Sequence, residues 1–93
     1  QEPAADLGLA LAITSSFKEY RLPGDLIAVG EVGLSGELRS VPHLDRRLSE
    51  AERLGFRQAV LPLNAARRVR GSTKLQIHAA ATLPEAIERA FGE

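Results

Sequence analysis

The 93-residue chain has no cysteine, no methionine and no tryptophan, and only one tyrosine and three phenylalanines. Without cysteine there is no disulfide frame and no thiolate metal site, which suits a cytoplasmic protein. Neither charge sign is in excess, since Lys plus Arg and Asp plus Glu stand at 12 each, so net charge selects no class of partner. Long apolar runs are also missing. The longest, Leu7 to Ile13, is too short to cross a bilayer and lacks the basic flank of a signal peptide, which leads to the expectation of no membrane partner. The absence of an initiator methionine, with an abrupt beginning on an apolar segment, suggests a piece of a longer chain.

What is present points to a globular fold. The hydrophobic share is 44%, normal for a packed domain, and the length suits one domain or part of one. Glu2-Pro3 predicts a helix start, with Pro in the first turn and Asp6 near the positive end of the dipole. Leu7, Ala10 and Leu11 on one face and Leu9, Ile13 and Phe17 on another make that helix apolar nearly all round, so it needs cover on both sides. "RLPGD" at 21–25 is a stop, and "LIAVGEV" reads as a buried strand. "VGLSGELRSV" predicts a hairpin turning at Ser35-Gly36. Leu44, Leu48, Ala51 and Leu54 then recur at helical spacing, and Gly55 is placed to close that helix. A strand over 56–63, a short helix "AARRVR" capped by Asn64, a strand over 75–81 and a last helix follow. The last helix opens on the capping-box pattern Thr82 to Glu85, with Leu83, Ile87, Ala90 and Phe91 inside. The order predicts a layered α/β domain.

Motifs for chemistry are sparse. His43 and His78 are the only histidines and have no carboxylate pair at ligand spacing, so no metal site is expected. A Ser-His-Asp arrangement stays open on residue types alone, but no nucleophile elbow occurs, and Ser15, Ser16 and Ser49 read as helical. No P-loop is present. Gly30, Gly33 and Gly36 at threefold spacing suggest either a phosphate cradle or a bulged strand leading into a hairpin. The second is preferred, because phosphate loops open helices and these glycines lie between strands. Glu31 in a buried context suggests a structural hydrogen-bond acceptor. From Arg57 to Lys74 there is no acidic residue, and Arg67, Arg68, Arg70 and Lys74 form the candidate phosphate-contacting set. The alternative is a solvated basic loop, since no aromatic residue is interleaved for base stacking.

Four stretches, "EPAADL", "GEVGLSGELRSV", "RRLSEAERLGF" and "AVLP", follow in the order and register of the C-terminal domain of the bacterial DNA-repair ATPase family RadA, also called Sms. The resemblance covers almost all of residues 1–93. It implies a Lon-protease-like α/β layered fold, similar to domain 2 of ribosomal protein S5, here N-terminally truncated by loss of the strands that precede its first helix. The Lon-like part of Mg-chelatase-type ATPases such as the ComM family also carries Gly-Glu…Leu-Ser-Gly and is the alternative family.

Lon proteases cut peptides with a serine nucleophile and a lysine base. The serine of their Gly-Pro-Ser-Ala-Gly step corresponds to Ala4 in Glu2-Pro3-Ala4-Ala5-Asp6. Aligned without gaps through Gly30-Glu31, the lysine falls on Arg47, which keeps its proton and cannot act as a base. The threonine that orients the lysine is Val29 here. The resemblance therefore implies a vacated site: no catalytic residue, with Ala4 and Arg47 at the dyad positions. An active Ser-Lys peptidase is the rival, and a pure oligomerisation element a third reading. For the parent protein the resemblance implies ATP, Mg and a structural zinc held outside this stretch, and a homo-hexamer. It also implies single-stranded or branched DNA as ligand, branch migration in recombination, and a recombinase or replicative helicase as partner.

Overall fold

The structure is a computed structural model and describes residues 5–8, 10 and 23–91. Ala4, Ser15, Ser16 and most of the predicted first helix lie outside the described residues. The described elements run β1 (Ala5–Asp6), β2 (Leu26–Ala28), β3 (Glu31–Val32), β4 (Leu38–Arg39), α1 (Leu44–Arg53), β5 (Gln58–Pro62), α2 (Leu63–Val69), β6 (Gln76–Ala80) and α3 (Leu83–Phe91). Among the described residues they form two three-stranded sheets: β1-β3-β4, antiparallel, and β2-β5-β6, parallel.

The parallel sheet is covered on both faces, as parallel sheets require. Along β5 the side chains alternate: Ala59 and Leu61 join Leu44, Leu48 and Ala51 of α1 and Ala65, Ala66 and Val69 of α2. Val60 points the other way, into a second core with Leu7, Val32, Ala80, and Ala86 and Ala90 of α3. Small residues at 86 and 90 let α3 lie close to the sheet.

"LIAVGEV" is not one strand. It divides at Val29-Gly30, its first part in the parallel sheet and its second in the antiparallel one. The crossing is tight at Gly30, where an added Cβ would lie 3.1 Å from the Pro62 ring and 3.4 Å from the Arg39 carbonyl oxygen. The expected hairpin forms between β3 and β4, closed by Gly33 N–H to Glu37 O at 2.8 Å, with Gly36 at φ +83° in the turn. The turn then docks on the start of α3, where Leu83 N–H donates to Gly36 O at 2.8 Å.

Helix α1 ends as the sequence suggests. Gly55 has φ +98°, Gly55 N–H donates to Glu52 O, and Phe56 N–H donates to Ala51 O. Leu54, expected on the buried face, is 69% exposed, because it sits at the cap where the chain leaves the helical spiral. Three further expectations need correction. Asp6 lies in β1 opposite Glu31 rather than in a helical turn, and the chain becomes helical at Leu7, whose N–H reaches Gly30 O at 2.9 Å. Asn64 is inside α2, and Pro62 holds the cap position with extended backbone. Strand β5 stops at Pro62, so Leu63 is helical rather than strand. The α3 capping box does form: Glu85 N–H donates to Thr82 Oγ1 at 3.3 Å, while the Glu85 carboxylate accepts from Ala81 N–H at 2.8 Å.

Candidate functional site

Two surfaces carry the residues singled out from the sequence. The first is a groove of about 330 Å3 between the β2 end of the parallel sheet and α1, lined by Ile27, Val29, Arg46, Arg47, Glu50 and Leu54 among others. Val29 and Arg47 therefore line one groove, although a hairpin separates them in sequence. Val29 is buried, and its N–H continues the β2–β5 ladder to Val60 O at 3.1 Å. Arg47 is exposed on α1. Ala4 is outside the described residues, while Ala5 and Asp6, next along the chain, pair with Val32 and Glu31. A guanidinium that stays protonated and an alkyl side chain offer neither base nor hydroxyl. The carboxylate in the groove, Glu50, is engaged by Arg53 three residues on.

The second surface is basic. Arg67 and Arg68 occupy the last turn of α2, Arg70 its C-cap, and Lys74 the loop before β6; all four are exposed. Cations at that end complement the helix dipole. Gly71, at φ +96°, turns the chain, and the Ser72 hydroxyl donates to Val69 O at 2.8 Å. The acid-free stretch borrows its acid from α1. The Glu52 carboxylate accepts from the Thr73 hydroxyl at 2.6 Å and from Lys74 N–H at 2.8 Å. Those two bonds hold Glu52 below the ordinary carboxylate range against an opposing desolvation, with the nearby Lys74 charge a lesser contribution.

Sequence reasoning missed how this surface extends. A cavity of about 680 Å3 lies between the start of α1 and the end of α2, and it brings His43 and Arg46 beside Arg68. The Arg68 guanidinium donates to Ser40 Oγ at 3.3 Å. His43, at φ +60°, precedes α1 and makes no side-chain cap bond. No linear signal links residues 40–46 to Arg68; the parallel β2–β5 crossover through α1 joins them. Among the described residues, Arg46, Arg47, Arg67, Arg68, Arg70 and Lys74 form no ion pair with a carboxylate.

The other candidates are separate. The glycine-rich turn is filled from within. An added Cβ at Gly33 would collide with the Glu37 carboxylate, which accepts from Ser35 N–H at 3.1 Å, so an internal acid sits where a phosphate cradle would need an anion. Glu31 is half-buried, with Asp6 and Arg39 as its cross-strand neighbours. His78 shares a hydrogen bond of 2.9 Å with Gln58 Oε1, and Gln58 in turn donates to Asp25, far from His43. Among the described residues no three His, Asp or Glu side chains converge, and the chain has no cysteine, so these residues do not fit a structural zinc. No described helix is long and apolar enough to cross a membrane.

Comparison with known proteins gives a consistent result. The family model described as "Subunit ChlI of Mg-chelatase" matches residues 2–65. DNA repair protein RadA of Aquifex aeolicus (strain VF5) is 45% identical over 91 residues, covering 98% of this chain and 20% of that protein. DNA repair protein RadA of Pseudomonas aeruginosa is 43% identical over 90 residues, 97% of this chain and 20% of that protein. The same protein of Mycolicibacterium smegmatis is 57% identical over 61 residues, 66% of this chain and 13% of its own length. The chain thus spans about a fifth or less of the length of these relatives.

Proposed function

The chain belongs to the RadA family of DNA repair proteins, in a region that the ChlI model also matches, and from that premise we propose that it is a non-proteolytic, Lon-like scaffold and DNA-binding module. The parent protein is a RadA-type ATP-dependent DNA repair protein acting in homologous recombination, by branch migration of recombination intermediates. In it the module helps to hold a homo-hexamer in the cytoplasm and faces single-stranded or branched DNA, with a recombinase or replicative helicase as partner. The α/β layering with a parallel sheet is compatible with a Lon-like fold.

One observation carries the non-proteolytic reading: Val29 and Arg47 line the same groove, and neither supplies a base or a hydroxyl. That speaks against the rival Ser-Lys peptidase, since proton transfer needs a titratable group. The ComM-type alternative shares the ChlI region, but identity to RadA sequences over 97–98% of this chain favours the first reading. ATP with Mg, and zinc, belong to other parts of the parent protein. The sequence has no phosphate-loop motif, the described residues bring together no ligand set for zinc, and no step here runs through either.

The DNA contacts in this reading are Arg67, Arg68, Arg70 and Lys74, exposed on one short segment whose backbone at Lys74 is held by Glu52. Each neutralises a phosphate and releases counterions. The full-length protein with and without this domain tests the whole reading. Removal should reduce both hexamer content in sedimentation and affinity for single-stranded DNA. Loss of hexamers with DNA affinity per protomer retained would select the pure oligomerisation reading, and no change in either would reject the proposal.

A further inference from the structure

The cavity between the start of α1 and the end of α2 is distinct from the vacated peptidase groove, although Arg46 borders both. It is an open depression of about 680 Å3 whose wall is partly apolar at Val41 and Pro42. Two arginines line it from different helices, Arg46 from α1 and Arg68 from α2. The Arg68 guanidinium donates to Ser40 Oγ, one residue before the lining residue Val41, and most of its donors stay uncommitted. Arg46 has no carboxylate partner among the described residues. Planar, permanently charged guanidinium forks pair bidentately with phosphate and carboxylate oxygens, and of these DNA presents phosphate. Asp45 on the same rim opposes an anion and supplies an internal check.

We propose that this cavity is a phosphate-binding site, clamped by Arg46 and Arg68, which takes a backbone phosphodiester or a terminal phosphate of DNA. The inference rests on the DNA-facing reading above and adds a defined pocket and a residue, Arg46, outside the basic stretch. It predicts that binding depends on which arginine is lost, and not only on how much charge is lost.

The test uses the full-length protein and single-stranded oligonucleotides, with and without a 5′-phosphate, in fluorescence anisotropy across a salt series. Arg46→Ala should weaken binding about tenfold and flatten the log–log salt slope by about 0.7. Arg47→Ala removes the same charge one residue away, beside the other groove, and should change affinity by less than about twofold. Asp45→Asn should tighten binding. Arg46→Ala with Arg68→Ala should lose less than the product of the single effects, because both hold one phosphate. An Arg46 dependence confined to 5′-phosphorylated DNA assigns the terminal phosphate, and equal dependence on both oligonucleotides assigns the backbone. Equal effects of Arg46→Ala and Arg47→Ala, or none from Arg46→Ala, would overturn the site. The triple change Arg67→Ala, Arg70→Ala, Lys74→Ala separates the two levels. If it flattens the slope while Arg46→Ala does not, the cavity fails and the DNA-facing reading stands; if neither does, both fall.

Discussion

The Glu52 carboxylate of α1 accepts a hydrogen bond from the Thr73 hydroxyl at 2.6 Å, fastening the longest described helix to the loop that carries Lys74. That bond is the first cause of the lowered Glu52 pKa, followed by the Lys74 backbone N–H. A carboxylate whose folded value lies below its ordinary value near 4.5 stabilises the fold above that pH, and the contribution fades as pH falls through the lowered value. In urea unfolding from pH 7 downwards, the midpoint gap between wild type and Glu52→Gln should be constant above about pH 5 and shrink below it. A gap that does not narrow in acid contradicts this.

Gly55 and Gly24 make a matched pair. Neither would bring an added Cβ within 4 Å of another group, but only Gly55 has a positive φ, +98°. Gly55→Ala should cost about 1–2 kcal/mol, the left-handed penalty of a residue with a Cβ. Gly24→Ala should be neutral or slightly stabilising, through the unfolded chain. Chemical denaturation of both variants, with unchanged m-values, checks the difference.

Leu61 and Leu54 make another pair. Leu61 is fully buried between the parallel sheet and the helices α1 and α2, and Leu54 is 69% exposed. Leu61→Ala should cost about 2–5 kcal/mol, by lost transfer energy plus a cavity. Leu54→Ala should stay within about 0.5 kcal/mol. A large loss at Leu54 would mean that a partner surface covers it.

Much of this is legible in the sequence. Gly55 announced the end of α1, and Thr82 with Glu85 the start of α3, because caps are local devices written in adjacent residues. The division of "LIAVGEV" was not legible. Val29 and Gly30 look like any apolar strand, and only the approach of Pro62 and Arg39 from distant segments forces the change of sheet. The site shows the same division. Arg67, Arg68, Arg70 and Lys74 stood out as a basic run, whereas Glu52 and Arg46 come from α1 and carry no local mark. Composition and periodicity likewise give no reason to place Val29 and Arg47 on one groove, since they lie on separate elements.

Ala4→Ser places a hydroxyl where the resemblance puts a nucleophile, but Arg47 still holds its proton. Full-length protein carrying Ala4→Ser should show no turnover of fluorogenic peptide or casein above the parent level. Measurable hydrolysis would restore the peptidase reading.

The central claim is that this domain faces DNA through its basic surface. The most direct measurement is the salt dependence of DNA affinity for the full-length protein with Arg67, Arg68, Arg70 and Lys74 all changed to Ala. If the four side chains each neutralise a phosphate on single-stranded DNA, the log–log slope should fall by up to about 3, with affinity reduced at low salt and hexamers intact. A slope and affinity equal to those of the unaltered protein would contradict the account.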